Sequence, residues 1–425
     1  MTATLTDSVF PENRLNPLSR EGKTYSERRY SNPACSVAYI GYLGFAAQIP
    51  WTVILVHLPI LETVLGGSMF SYTLGIAMGL ACNVIRFCVV VYGRMFTFRV
   101  RVLTGCMFSA FFTLGYYVIY VFSDPLSVID LENVSAEKTW GFWLGLLLAV
   151  FGGAGNAQLM STGYGVASLM AQERPVANNL FFFGQAMASA TCWPLKCLIE
   201  TVTEISESAR LAIVMGLVSA VSISIIPIYH CRISKIPGLH EVPPPEVGWS
   251  IVVKVFRETK GPMLVLWFSY FLTNMVTPGQ LLQWPLPRSS EDNPKFHRSL
   301  CSYVYLLGDA VGKTVPVFLA LKRRRIEKIL NHPGTWLFMI VIVIVRFCIM
   351  LLFYFPPVSF AGQVCMLGVF GFLNGFVASL ALSQVSFRVD PALSDVAGYL
   401  SSFVIINGLF SGSLVGMLVK VFRHA

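Results

Sequence analysis

Apolar runs of about 20 residues recur from near Cys35 to the end of the chain, and no other feature limits the possible folds so tightly. A helix needs about that length to cross a hydrocarbon core of roughly 30 Å. Strands of a membrane barrel would be shorter and would alternate polar with apolar residues, and these runs do not alternate. Charge points the same way. Charged residues make up 12% of the chain and hydrophobic ones 55%, with a mean hydropathy of +0.65. A soluble domain is about a quarter charged, so this chain carries too few charges to wet its surface. The sequence predicts an all-α, polytopic membrane protein.

The runs predict eleven spans, at 36–58, 69–92, 102–123, 139–165, 176–199, 210–229, 262–284, 299–321, 335–355, 358–384 and 397–419. Turn chemistry separates them, as at Leu65-Gly66-Gly67, Ser123-Asp124-Pro125 and Glu173-Arg174-Pro175. Four segments result: an Arg-rich tail over 1–35, a six-helix bundle over 36–229, a loop over 230–261 and a five-helix bundle over 262–425. The loop contains Pro243-Pro244-Pro245, which makes it an extended linker. Two bundles with a site between them is a common transporter plan.

Orientation follows from the basic residues. With the N-terminal tail in the cytoplasm, inside segments hold about 20 of the 31 Lys and Arg residues and outside segments about seven. The C-terminus then lies outside. The net charge of +9 is read as this orientation signal rather than as a nucleic-acid surface. The tail is polar and the first span begins late, so it is read as a retained span, not a cleaved signal. Asn133-Val134-Ser135 forms a glycosylation sequon on the expected outer side, making Asn133 a candidate modification site.

Several functions are disfavoured. The ten cysteines fall mostly inside apolar runs and include no CxxC pair, so neither a zinc site nor a disulfide framework is indicated. No Walker A run is present, so ATP does not drive the protein directly. No span pairs His with Asp or Ser at helical spacing, which argues against a membrane enzyme, and eleven spans are too many for a seven-span receptor. No cofactor is expected.

Polar side chains inside the runs carry the functional information. A charge at mid-bilayer costs about 2.5–3.5 kcal/mol on insertion scales, so one that persists faces a cavity or a partner. Asp309 and Lys313 sit four apart in Tyr305-Leu306-Leu307-Gly308-Asp309-Ala310-Val311-Gly312-Lys313, on one helix face. They are either a self-neutralising packing pair or a binding pair. Binding is favoured because a carboxylate accepts from sugar hydroxyls while an ammonium beside it keeps it ionised. Arg346, alone among β-branched residues, is read as a structural or gating charge bonded to carbonyls of a neighbouring helix. Gln158 shares a face with Gly155, Thr162 and Gly165, and its amide suits either an interhelical bond or the edge of a nucleobase. Trp51, with Gln48 on the same face, is either an aromatic wall or packing. Small residues recur every four positions at Gly408, Gly412 and Gly416, at Gly371 and Gly375, and at Gly75 and Gly79, which lets helices approach closely in lipid.

At these residues the sequence resembles the equilibrative nucleoside transporter family. Pro50-Trp51 resembles that family's first-span Pro-Trp element, and Asp309-x-x-Gly312-Lys313 is similar to its eighth-span Asp-x-x-Gly-Arg signature. The tract from Leu373 to Leu380 resembles the tenth-span Ser-Asn-Gly-Tyr motif. Gly184-Gln185, Arg346 and the stretch from Asp390-Pro391 to Gly416 extend the likeness over nearly all of the chain. The resemblance implies eleven spans and alternating access by rocking of a six-span bundle against a five-span one. By similarity, Trp51 and Gln158 hold the base, and Asp309 with the cation at 313 holds the ribose. Lys313 departs from the family's arginine, replacing a planar fork with a compact charge, and Gln48 replaces an apolar residue. The short loop between the sixth and seventh spans resembles protozoan members that salvage purines.

The expectation is therefore a facilitative carrier for purine nucleosides or nucleobases, monomeric and in the plasma membrane, with proton coupling through Asp309 as a variant. A carrier of sugars or pterins on the same scaffold is the alternative.

Overall fold

The computed structural model describes residues 33–65, 68–92, 96–122, 140–171, 176–201, 205–235, 248–276, 294–353, 355 and 359–424. Six long helices come first: α1 (Pro33–Leu65), α2 (Ser68–Tyr92), α3 (Phe98–Phe122), α4 (Trp140–Ala171), α5 (Val176–Glu200) and α6 (Glu207–Cys231). Five more follow: α7 (Trp249–Val276), α8 (Pro294–Ala320), α10 (Pro333–Leu352), α11 (Phe360–Arg388) and α12 (Ser394–His424), with a short α9 (Arg323–Asn331) between α8 and α10.

Local chemistry sets several starts. The Ser206 side chain accepts from the Ala209 N–H to begin α6, and that of Ser359 accepts from the Gly362 N–H to begin α11. His332 caps α10, and Pro333 opens it where a missing N–H costs nothing.

The six-plus-five layout matches the expectation from hydropathy. The seventh helix differs, starting at Trp249 rather than near 262. Its first turns carry Lys254, Arg257, Glu258 and Lys260, a charged stretch that hydropathy assigns to a loop and that is helical here. Pro243 to Pro245 and the Asn133 sequon lie outside the described residues. Eight of the long helices contain a stretch long and apolar enough to cross a membrane. The others are α5, α7 and α8, and they are the more polar helices: α5 carries Asn178, Asn179 and Gln185, and α8 carries Asp309 and Lys313. The outer surface is apolar, as a bilayer demands. Leu103, Met107, Phe111, Leu114 and Val118 form an exposed stripe on α3, and Leu337, Val341, Ile344 and Leu351 are exposed on α10. The protein is an integral, multi-pass helical membrane protein.

The buried core is not one mass. At one end of the bundle, where α4 and α11 finish and α5 and α12 begin, a single apolar cluster joins both sets of helices. It includes Tyr164, Phe181 and Phe182 with Val377, Ala381, Val385, Ala397 and Tyr399. At the opposite end the core is divided. Leu61, Phe70, Tyr116 and Phe142 belong to the first six helices, whereas Leu272, Cys301, Tyr305 and Phe370 belong to the last five.

Polar bonds cross between the halves near the joined end. Arg86 Nη1 donates to the Ser402 carbonyl at 2.8 Å, and Arg101 Nη2 to the Tyr399 hydroxyl at 3.0 Å. The Ser383 hydroxyl donates to Asn179 Oδ1 at 3.1 Å, and the Asn178 amide donates to the Ser386 hydroxyl. At the divided end, the Trp193 and Tyr303 rings stack across the halves with centroids 4.7 Å apart.

Candidate functional site

Close backbone contact builds the site. A Cβ added to Gly312 would run into the Phe372 carbonyl, and one added to Gly371 or Gly375 would run into the carbonyl of Tyr305 or Asp309. Only glycine permits this approach of α8 to α11. The consequence is that Asn374, beside Gly375, is brought against Asp309.

Asp309 is the centre of a buried polar chain. Its Oδ2 lies 2.7 Å from Lys313 Nζ, and its Oδ1 accepts from Asn374 Nδ2 at 2.7 Å. Asn374 Oδ1 in turn accepts from the hydroxyls of Ser269 at 2.9 Å and Thr273 at 3.2 Å on α7. Arg346 of α10 completes the chain. It donates through Nη1 to the Ser269 carbonyl at 2.8 Å and hydroxyl at 2.6 Å, and through Nη2 to the Thr273 hydroxyl at 3.0 Å. Its guanidinium also lies 4.5 Å from the centroid of the Phe370 ring. Arg346 is fully buried, and its bonds to Ser269 and Thr273 tie α10 to α7.

Lys313 has a second partner across the molecule. Its ammonium lies 3.9 Å from the centroid of the Phe182 ring, which belongs to α5 in the first half. Phe182 packs against Tyr164 of α4 and Tyr270 of α7, with centroids 6.4 and 6.2 Å away. These rings form the edge of the joined core, so the charged pair stands where the joined core begins.

The remaining candidates from the sequence lie in the first half. Trp51 is half-buried and packs on the divided-end core of those helices. Gln48 is half-buried one turn away, and its carbonyl accepts from the Thr52 hydroxyl at 3.3 Å. Gln158 is turned toward α3, where its Oε1 accepts from the Thr104 hydroxyl. The structure thus brings Asp309 and Lys313 together with Asn374, and it records no contact between them and Gln158.

Residues not singled out from the sequence are as informative. Arg86 is buried in α2 and donates to Asn156 Oδ1 at 2.8 Å, while Asn156 Nδ2 donates to the Ala47 carbonyl at 3.4 Å. Arg86 interrupts an apolar run as Arg346 does, so the same cost argument identifies it. Phe182 carries no such signal, since a phenylalanine in an apolar span is unremarkable until its neighbours are known.

Comparison with solved structures decides the architecture. The E. coli fucose:proton symporter FucP superposes with a TM-score of 0.62 at 12% identity, covering 92% of this chain and 92% of that one. The human organic anion transporter MFSD10 superposes with a TM-score of 0.57 at 13% identity, covering 91% of this chain and 94% of that one. The chain has a major-facilitator-like fold. No protein-family model matches the sequence, and no curated protein matches it either. At these identities the likeness speaks to fold alone. Within the major-facilitator-like fold, the Asp309 group belongs to the second half, and the Phe182 ring brings the first half to it.

Proposed function

We propose that this chain carries purine nucleosides or nucleobases across a membrane by alternating access. The observation that bears most weight is the Asp309–Lys313–Asn374 group, buried at the border between the joined core and the divided one. A carboxylate held between an ammonium and an amide keeps acceptor positions that suit a pair of ribose hydroxyls. In this reading Trp51 supplies an aromatic face for the base and Gln48 a polar edge beside it. Gln158, whose carbonyl is engaged by Thr104, has its amide nitrogen to donate. Lys313 contacts oxygen atoms as a single point charge rather than as a bidentate fork.

The basic segments give the orientation proposed for the joined end, which faces the cytoplasm, with the N-terminus inside and the C-terminus outside. The structure described above then corresponds to a state closed toward the cytoplasm. Transport runs down the solute gradient, and Asp309 is the group through which a proton would be coupled.

A second reading, a sugar carrier, is favoured by the same donors and acceptors, which suit hydroxyls of any sugar. Uptake of labelled adenosine and hypoxanthine in cells lacking their own purine carriers separates the two. The purine reading requires saturable uptake that excess unlabelled purine suppresses and excess sugar does not. Suppression by sugars alone would reverse the assignment.

A further inference from the structure

We infer that Phe182 is the positioning residue through which occupancy of the Asp309 site reaches the joined end; this rests on the carrier reading above. Lys313 divides its ammonium between Asp309, at 2.7 Å, and the face of the Phe182 ring, at 3.9 Å from the centroid. The first contact stays within α8. The second crosses from one half to the other. Both side chains are buried, so water does not screen the attraction between cation and ring.

The position of this contact along the bundle makes it effective. Phe182 lies six residues into α5 and Lys313 seven residues before the end of α8, about 9 and 10.5 Å from the joined end at 1.5 Å per residue. Behind Phe182 stand Tyr164 and Tyr270, one from each half, and beyond them lie the bonds from Asn178 to Ser386 and from Ser383 to Asn179. Along the α5–α8 seam toward the divided end, Ala186, Ala190 and Ala310 form a small apolar cluster. Alanines offer neither a charge nor a ring. Between the Trp193–Tyr303 stack and the joined core, the specific attraction along this seam, among the described residues, is therefore concentrated at Lys313 and Phe182.

A solute oxygen that accepts from Lys313 competes directly with the ring. When the ammonium turns to the solute, the ring loses its cation and the halves lose an attraction at the edge of the joined core. Occupancy thereby favours opening of that end, and an empty site keeps it shut. A ring that acted by bulk alone would respond to its volume and not to the charge opposite it.

The test uses the full chain in proteoliposomes with a reporter thiol from Ser383→Cys, a position buried between α11 and α5. Alkylation of that thiol is followed by mass spectrometry, which resolves it from the native cysteines. Without solute, Phe182→Leu raises the alkylation rate about tenfold, while Phe182→Tyr, which keeps the ring, stays within about twofold of the parent. Phe182→Met replaces the leucine variant if that protein does not fold. Lys313→Met raises the rate to a similar degree, and combining it with Phe182→Leu adds little further. An unchanged rate in Phe182→Leu, or effects of the two variants that multiply, overturns the inference. Adenosine accelerates alkylation in the parent and not in Phe182→Leu. The non-additive rise without any response to adenosine or hypoxanthine supports the contact and refutes the purine reading instead.

Discussion

The two ends of the bundle are built from the same kinds of helices and are held together differently. At the joined end the halves share one apolar cluster and exchange hydrogen bonds from Arg86, Arg101, Asn178 and Ser383. At the divided end the buried residues of each core come from one half, with Ile406 of α12 packed against the first-half core and the Trp193 and Tyr303 rings stacked between the halves. Cores are close-packed and resist gradual deformation, so a shared core is either made or broken. The difference is what the proposed alternating access asks of one of its two states, with the polar group standing at the border between the two ends.

The most damaging change to that contrast removes its central charge. Asp309→Ala leaves Lys313 buried without its carboxylate, and purine uptake should fall by about tenfold to a hundredfold at equal surface expression, read by radiolabelled uptake and surface labelling. Uptake at the parent rate would detach the site from transport. Next in size, Gly312→Leu forces α8 from the Phe372 carbonyl and costs about 1–3 kcal/mol, seen as a lowered Tm in detergent. Separation of Asn374 from Asp309 accompanies it, so uptake should fall as well.

Two milder changes compare the ends directly. Tyr399→Phe removes the acceptor for Arg101 at the joined end and should cost about 1.5 kcal/mol of that closure, raising thiol reactivity there severalfold. Trp193→Leu removes the stacked pair at the divided end and should cost about 0.5–1.5 kcal/mol, raising the reactivity of nearby Cys197 while leaving the joined end unaffected. Equal responses at both ends to either variant would erase the distinction.

Much of this architecture is legible in the sequence because a bilayer imposes a coarse rule. Most spans are apolar for about 20 residues, which makes eight of the long helices plain to read. Among the described residues α5, α7 and α8 fall short of that rule, and they are read from weaker runs and their flanking turns. The start of α7 is not legible, since Lys254 to Lys260 form a charged helical extension that hydropathy assigns to a loop. The proximity of Asp309 to Lys313 is a matter of helical spacing and needs no tertiary information. Asn374 reaches Asp309 only because Gly312, Gly371 and Gly375 let two backbones touch, and a stripe of glycines does not name the helix it faces. Gln158 shows the same limit. Its face is predictable, but the helix opposite that face is α3, and spacing carries no information about neighbours. Phe182 is the extreme case, because its role depends wholly on a cation from a helix more than a hundred residues away.

Alternating access is tested most directly by two distances measured in one sample. Spin labels at the exposed positions Arg232 and Arg388 span the halves at the joined end, and labels at Phe122 and Leu352 span them at the divided end. On adding adenosine, pulsed electron resonance should record the first distance lengthening as the second shortens. Distances that stay fixed, or that lengthen together, would contradict a carrier that opens one end by closing the other.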